Sequence, residues 1–290
     1  MPGSRTSAGL APSAKSFTAD FVAKRRGQSH TTSPLPRPEF LLGNPVHPIG
    51  MGELIHNCQK WVTHRVPHNL FASNVHVMVE GVFNRQLRIA LLNATAVLPD
   101  GMPLVWFLRR KGHHNQERMY GPNVMLRLLQ FADKSRLRIF LFGSLPSTLE
   151  KLTNTIRHRH PRLKIAGTYA PPFKNTFTAQ DINKHARLIN KSKADILFVG
   201  LGAPKQEIWM HHISQLLRIP VILGAGAGFD FIAKTKPQAP RWMMDSGLEW
   251  LFRLLSEPRR LWYRYAILNP VFLFLLLLQE LGIWNRTADK

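Results

Sequence analysis

The chain is poor in cysteine and in acid. Cys58 is the single cysteine in 290 residues, so no internal disulfide and no multi-cysteine metal site can form. A lone thiol fits a reducing compartment and is expected to be packed and inert. Asp and Glu total 17 against 39 Lys and Arg. No D-x-D sequence occurs anywhere, so the usual carboxylate pair for a nucleotide-bound divalent ion is missing. The 13 histidines include His113-His114 and His211-His212, and neither pair has the i, i+4 spacing of helical zinc ligands. No metal and no cofactor are expected. The first 30 residues lack the continuous apolar run of a secretory signal. No repeat of solenoid type is visible.

What is abundant is positive charge. A formal net charge of +22 attracts polyanions such as nucleic acid, anionic lipid or phosphorylated substrates. Residues 1–40 read as a disordered basic tail: Ser, Ala, Pro and the cluster Lys24-Arg25-Arg26, then Pro34, Pro36 and Pro38 in an extended linker. A transit peptide would have a similar composition. Order is expected from about residue 40.

Three segments share one pattern of apolar strand, glycine loop and helix: Leu137 to Leu152, Asp195 to Met210, and Pro220 to Ala233. Shorter strands are expected at Asn69–Phe71 and Ala96–Leu98. "GMPLVWFLRRKG" reads as a helix with Pro103 in its first turn. Strands alternating with helices predict an α/β domain over residues 41–245: a Rossmann-like, mostly parallel sheet with helices on both faces.

Glycines at strand ends, Gly143, Gly200 and Gly202, would let a ligand approach the backbone, beside free N–H groups and the positive dipole end of the next helix. "GLGAPKQE" resembles a dinucleotide fingerprint with Lys205 where the third glycine belongs. Lys205 could neutralise a phosphate, and Gln206 could hold a sugar hydroxyl or phosphate oxygen. Glu207 could instead cap its own helix. Asp100, in "LPDGMP", falls on another strand-end loop. It could act as a general base or cap the helix that follows. Arg118 in "ERMYGPNVM" could grip a pyrophosphate or lie on the surface.

Residues 246–290 differ in character. Leu248, Leu251, Leu254 and Leu255 form an apolar stripe, accompanied by Arg253, Arg259, Arg260 and Arg264 and by Trp250, Trp262, Tyr263 and Tyr265. Pro258 breaks or restarts the helix. Val271–Leu278 is strongly apolar but shorter than the ~20 residues that span a bilayer. A helical appendage lying in an anionic membrane interface is expected. Docking on the protein's own core or on a second copy is the alternative.

From about Leu42 to Leu273, the chain resembles the WecG/TagA/CpsF family, glycosyltransferase family 26. The resemblance is carried by "LPDGMPLVW", "ERMYGPNVM", "FLFGSLPSTLEK", "DILFVGLGAPKQEIWM" and "GAGFDFIAKTKPQAPRWMMDSGLEWLFRLLSEPRRLWYRY", in family order. It implies a metal-independent, inverting, UDP-sugar-dependent hexosyltransferase. Such an enzyme moves an N-acetylmannosamine, N-acetylmannosaminuronic acid or glucose type of hexose to an undecaprenyl-diphosphate-linked saccharide in surface or exopolysaccharide biosynthesis. It would be cytoplasmic and peripheral on the inner face of the bacterial plasma membrane, with homo-oligomerisation left open. Carried over by motif, Asp100 would be the base. Asn74, Arg118 and Gln206 would be active-site residues, and Asp230 would sit on the nucleotide side. Arg253, Arg260 and Arg264 would belong to an appendage over the pocket. Ala72 stands where the family's T-x-N element has threonine.

Two other classes remain to be weighed. An NAD-dependent oxidoreductase would carry a complete G-x-G-x-x-G near its first strand and an acid about 20 residues on; here the best match is late and incomplete. A basic nucleic-acid-binding protein would interleave basic and exposed aromatic residues, which the C-terminal segment does in part. No nucleic-acid partner is expected.

Overall fold

The computed structural model describes residues 35–284. The basic segment up to residue 34 lies outside them. The first element among the described residues is a small antiparallel hairpin, β1 (Glu39–Leu41) and β2 (Asn44–Val46). Leu42 and Gly43 turn it with φ of 51° and 71°. Helix α1 (Met51–His64) leads into β3 (His68–Ser73), α2 (Val75–Phe83), α3 (Arg85–Leu92) and β4 (Ala96–Pro99). Then come α4 (Met102–Arg110), α5 (Gly121–Lys134), β5 (Arg138–Gly143), α6 (Pro146–Arg159) and β6 (Lys164–Tyr169). The body closes with α7 (Ala179–Ser192), β7 (Ile196–Gly200), α8 (Lys205–Ser214), β8 (Val221–Gly224) and α9 (Gly228–Ile232).

Six strands form one sheet in the order β4-β3-β8-β7-β5-β6, and every pairing is parallel. Strand periodicity sorts the core into two layers. Phe71, Phe140, Phe142, Leu197 and Val199 face one side and pack with Met78, Leu91, Ile189 and Trp209. Their neighbours Leu70, Ile139, Leu141, Ile196 and Phe198 face the other, against Trp61, Leu128 and Leu152. Strands buried on both faces read as unbroken apolar runs, which is why β5, β7 and β8 are visible in the sequence. The expected α/β sheet with helices on both faces is present.

The last part of the chain is helical: α10 (Arg241–Asp245), α11 (Glu249–Ser256), α12 (Pro258–Ala266) and α13 (Leu268–Glu280). Pro258 starts a helix rather than interrupting one. The apolar stripe is not buried as a unit, since Leu255 is 73% exposed. Helix α13 is two-faced. Leu268 and Phe272 are buried in the core layer that holds α2, whereas Leu273, Phe274 and Leu277 are 64%, 61% and 55% exposed. Gln279 fastens it to the hairpin: Leu42 N–H donates to Oε1 at 2.7 Å, and Nε2 donates to the Phe40 carbonyl at 3.2 Å. Arg110 pairs with Glu280 at 2.9 Å. By length and composition Pro258–Glu280, 23 residues, could cross a bilayer. Its Leu268 and Phe272 pack into the body.

Candidate active site

The C-terminal ends of β3, β4, β5, β7 and β8 open into one cavity of about 590 Å³, whose walls include Asn74, Asp100, Ser144, Gly200, Gly202 and Gly226. This is where an open parallel sheet ordinarily binds ligands. The loops after β5 and β7 come unusually close. Gly143 has φ +110°, and a Cβ there would stand 2.6 Å from the Gly200 carbonyl oxygen, so glycine is required. The role of Gly143 is thus to let two strand ends meet, and Ser144 rather than Gly143 reaches the cavity. Gly202, with φ +80°, has open space where a side chain would be.

Asp100 lies at the end of β4. It does not cap α4, whose N-cap is Gly101 with no side-chain bond. Its Oδ1 instead faces the first turn of α5, 3.4 Å from the Gly121 N–H, and stands 3.7 Å from an Arg118 nitrogen. The side chain is 16% exposed. Burial lifts its carboxyl to about 6, Arg118 pulls it back, and the Glu249 carboxylate pushes it up again. Such a group is ionised at neutral pH yet basic enough to accept a proton. Ala72 lies close by: a Cβ on Gly121 would meet the Ala72 Cβ at 3.2 Å.

Arg118 is already engaged. It donates to Glu249 Oε2 at 2.5 Å, to the Asp100 carbonyl at 2.5 Å and to the Met244 carbonyl at 3.4 Å, with its guanidinium 4.4 Å from the Tyr120 ring. It does not line the polar cavity; it lines a second one of about 680 Å³. Met102, Pro103, Trp106, Phe107, Trp250, Phe272, Leu273 and Leu276 give that groove an apolar wall. The two cavities share Asn74, His76, Asp100, Arg253 and Arg264. They meet at the carboxylate.

Gln206 and Glu207 form part of the polar cavity wall and are 3% and 1% exposed. Gln206 Oε1 accepts from the Gly226 N–H at 3.1 Å and its Nε2 donates to Glu207 Oε1 at 3.1 Å, which ties the loops after β7 and β8 together. Glu207 Oε2 has no hydrogen-bond partner, and burial pushes the carboxyl up to about 7. Lys205 corrects the expectation of a phosphate ligand. It points away from the cavity, donates to the Lys174 carbonyl at 2.8 Å and lies 5.1 Å and 5.4 Å from the Phe173 and Phe177 rings. A helix turns about 100° per residue, so neighbours that face inward leave Lys205 outside.

The C-terminal helices supply the remaining cations. Arg253 and Arg264 border both cavities, and Arg260 the polar one. Arg260 pairs with Glu257, which also takes Lys236 at 2.7 Å. Asp230 faces the same cavity, accepts from the Thr235 hydroxyl at 3.2 Å and lies 3.6 Å from Lys236. Asn74 occupies the N-cap of α2 without capping it; its Oδ1 accepts from Arg264 Nη2 at 3.0 Å.

Sequence reasoning missed Glu249, Lys236 and His76. His76 borders both cavities, has an unpartnered Nδ1, and is held neutral by burial and by Arg264, with its pKa lowered to about 3. Its place two residues after Asn74 in "SNVH" is the only sequence signal near it. Among the described residues no three His, Cys, Asp or Glu side chains come together as a metal site.

The model of the glycosyl transferase WecG/TagA/CpsF family matches residues 40–286. The chain belongs to that family. Among its relatives is an N-acetylglucosaminyldiphosphoundecaprenol N-acetyl-β-D-mannosaminyltransferase of Bacillus subtilis, 32% identical over 191 residues, 66% of this chain and 72% of the relative. A protein of the same name from Bacillus spizizenii is 29% identical over 195 residues, 67% of this chain and 73% of the relative. This family member keeps its polar cavity, its apolar groove and the Asp100 carboxylate at the C-terminal end of a single parallel sheet.

Proposed function

We propose that the protein is an inverting transferase that moves a hexose derivative from a UDP-sugar to an undecaprenyl-diphosphate-linked saccharide. The observation that carries this is the meeting of two chemically different cavities at Asp100. A nucleotide sugar is polar and anionic throughout. A lipid-linked acceptor is anionic at one end and hydrocarbon at the other. The polar cavity, with Asp230, Lys236, Arg253, Arg260 and Arg264, suits the first. The groove, with Arg118 and Arg253 inside and Trp106, Trp250 and Leu273 outside, suits the second.

In the reaction the acceptor hydroxyl gives its proton to Asp100 as its oxygen attacks the anomeric carbon of the donor. The bond from that carbon to the diphosphate breaks on the opposite face, and the electron pair leaves with UDP. Fixed guanidinium groups of Arg253, Arg260 and Arg264 stabilise the charge that develops there. Asn74, held by Arg264, positions the reacting sugar. The names of the relatives support an N-acetylmannosaminyl donor and an N-acetylglucosaminyl-diphosphoundecaprenol acceptor as the first pair to try. The β linkage in those names fits inversion of an α-linked nucleotide sugar. The exposed apolar face of α13, flanked by Arg259 and Trp262, supports a peripheral site on an anionic membrane surface.

The test is UDP release from a panel of UDP-sugars, with and without the lipid-linked acceptor, in EDTA. Acceptor-dependent release with one donor and an inverted anomeric centre in the product is expected. Release that needs added magnesium or manganese, or a retained configuration, would overturn the reading.

A further inference from the structure

Glu249 is the first residue of α11, yet its carboxylate lies inside the Asp100 cluster and is 10% exposed. Its Oε2 accepts from Arg118 Nη2 at 2.5 Å and its Oε1 from the Tyr120 hydroxyl at 3.2 Å. The same guanidinium nitrogen reaches the Asp100 carboxylate only at 3.7 Å. Arg118 therefore spends its best carboxylate contact on Glu249, and its Nε on the Asp100 backbone carbonyl. The Asp100 side chain is left with one long N–H contact, from Gly121 at 3.4 Å.

We propose that Glu249 is a positioning residue for the base: it holds Arg118 off the Asp100 carboxylate and so keeps that carboxylate free to take the acceptor's proton. This rests on the reading of Asp100 as the base. An arginine paired directly with a carboxylate makes it a weak base, because the ionised form is stabilised. A second acceptor that takes the same guanidinium nitrogen competes with that pairing and adds like-charge repulsion in the same direction. Because Glu249 belongs to the C-terminal helices, the base is set only when those helices are seated.

The groups facing Asp100 are Arg118 and Tyr120 from the segment before α5, Glu249 and Arg253 from α11, and Arg264 from α12. In Glu249→Gln the full chain keeps its packing volume but loses the charge. The acid limb of kcat/KM should move to lower pH by about one unit. Turnover at pH 8 should fall several-fold, by no more than about 10-fold, as expected for a base weaker by about one pKa unit, while UDP affinity stays within about twofold. Tyr120→Phe, which removes the other hydrogen bond but no charge, should leave the acid limb in place. If Glu249→Gln does not fold, Glu249→Asp carries the same expectation with a smaller shift. An unmoved acid limb, with activity lost only through UDP binding or melting temperature, would reduce Glu249 to a structural clamp. Asp100→Asn assayed in parallel separates the two failures. Near-normal turnover there removes the base itself, whereas an inactive Asp100→Asn with an unmoved Glu249→Gln limb overturns only the role of Glu249.

Discussion

Arg264 on α12 donates to Asn74 at the end of β3, across 190 positions of sequence, at 3.0 Å. The bond joins the C-terminal helices to the first strand of the sheet at the point where the two cavities meet. An asparagine at a helix N-cap ordinarily accepts from its own helix; here that oxygen is given to an arginine. A guanidinium cannot lose its charge at neutral pH, so this contact also fixes one positive charge beside the polar cavity.

Arg264→Ala should therefore weaken UDP binding and lower turnover by about 10²-fold, the order found when one charge-stabilising donor is removed. Arg264→Lys should recover part of the binding but little of the turnover, because a point charge does not reproduce the directed bond to Asn74. Calorimetric titration with UDP, beside steady-state rates, reads both. Unchanged binding and rate in Arg264→Ala would place the arginine outside the site.

Glu207 should be a pH-dependent liability. Its carboxyl is raised from 4.5 to about 7 in the folded chain. The native state thus holds its proton more tightly than the unfolded chain does. Whatever stability this confers is complete below the unfolded value and is lost as pH rises through about 7. Glu207→Gln removes that dependence. Relative to the parent, the variant should gain up to roughly 3 kcal/mol between pH 4 and pH 8, each pKa unit being worth about 1.4 kcal/mol. Urea unfolding at the two pH values measures it, and an equal difference at both would show that Glu207 titrates normally.

Helix α13 should separate docking from lipid contact. Phe272 is 4% exposed, so Phe272→Ala should destabilise the chain by about 3–5 kcal/mol. Phe274, Leu277 and Leu281 are 61%, 55% and 61% exposed. Changing these three to Gln should leave the melting temperature within a few degrees and reduce sedimentation with anionic liposomes by roughly 10-fold or more, because lipid affinity follows buried apolar area. Full sedimentation of the triple variant would move the membrane contact to the basic surface elsewhere.

Much of this architecture could be read in advance, and the exceptions have causes. Strands β5, β7 and β8 are buried on both faces and announce themselves as apolar runs ending in glycine. Strand β6, "KIAGTY", sits at the sheet edge, is partly exposed, and lacks that run. The hairpin strands are three residues each, and β2 contains Pro45, so periodicity had nothing to act on. Asp100, Asn74 and Gln206 were legible as motif residues on strand-end loops. The orientation of Lys205 was not, since it depends on which face of α8 meets the sheet. Glu249 looks in the sequence like an acid in the first turn of an amphipathic helix. Its contact with Arg118 bridges 131 positions and exists only in three dimensions.

The most direct test of the account is Asp100→Asn, measured with donor, lipid-linked acceptor and UDP alone. The carboxyl's pKa of about 6 sets the acid limb of the parent enzyme, whose rate should fall about tenfold per pH unit below it. Asparagine cannot accept the proton, so turnover at pH 8 should drop by roughly 10²–10⁴-fold, with UDP affinity changed by no more than about twofold. Turnover within a few-fold of the parent would contradict the central claim, because Asp100 would then stand where the two cavities meet without serving the reaction.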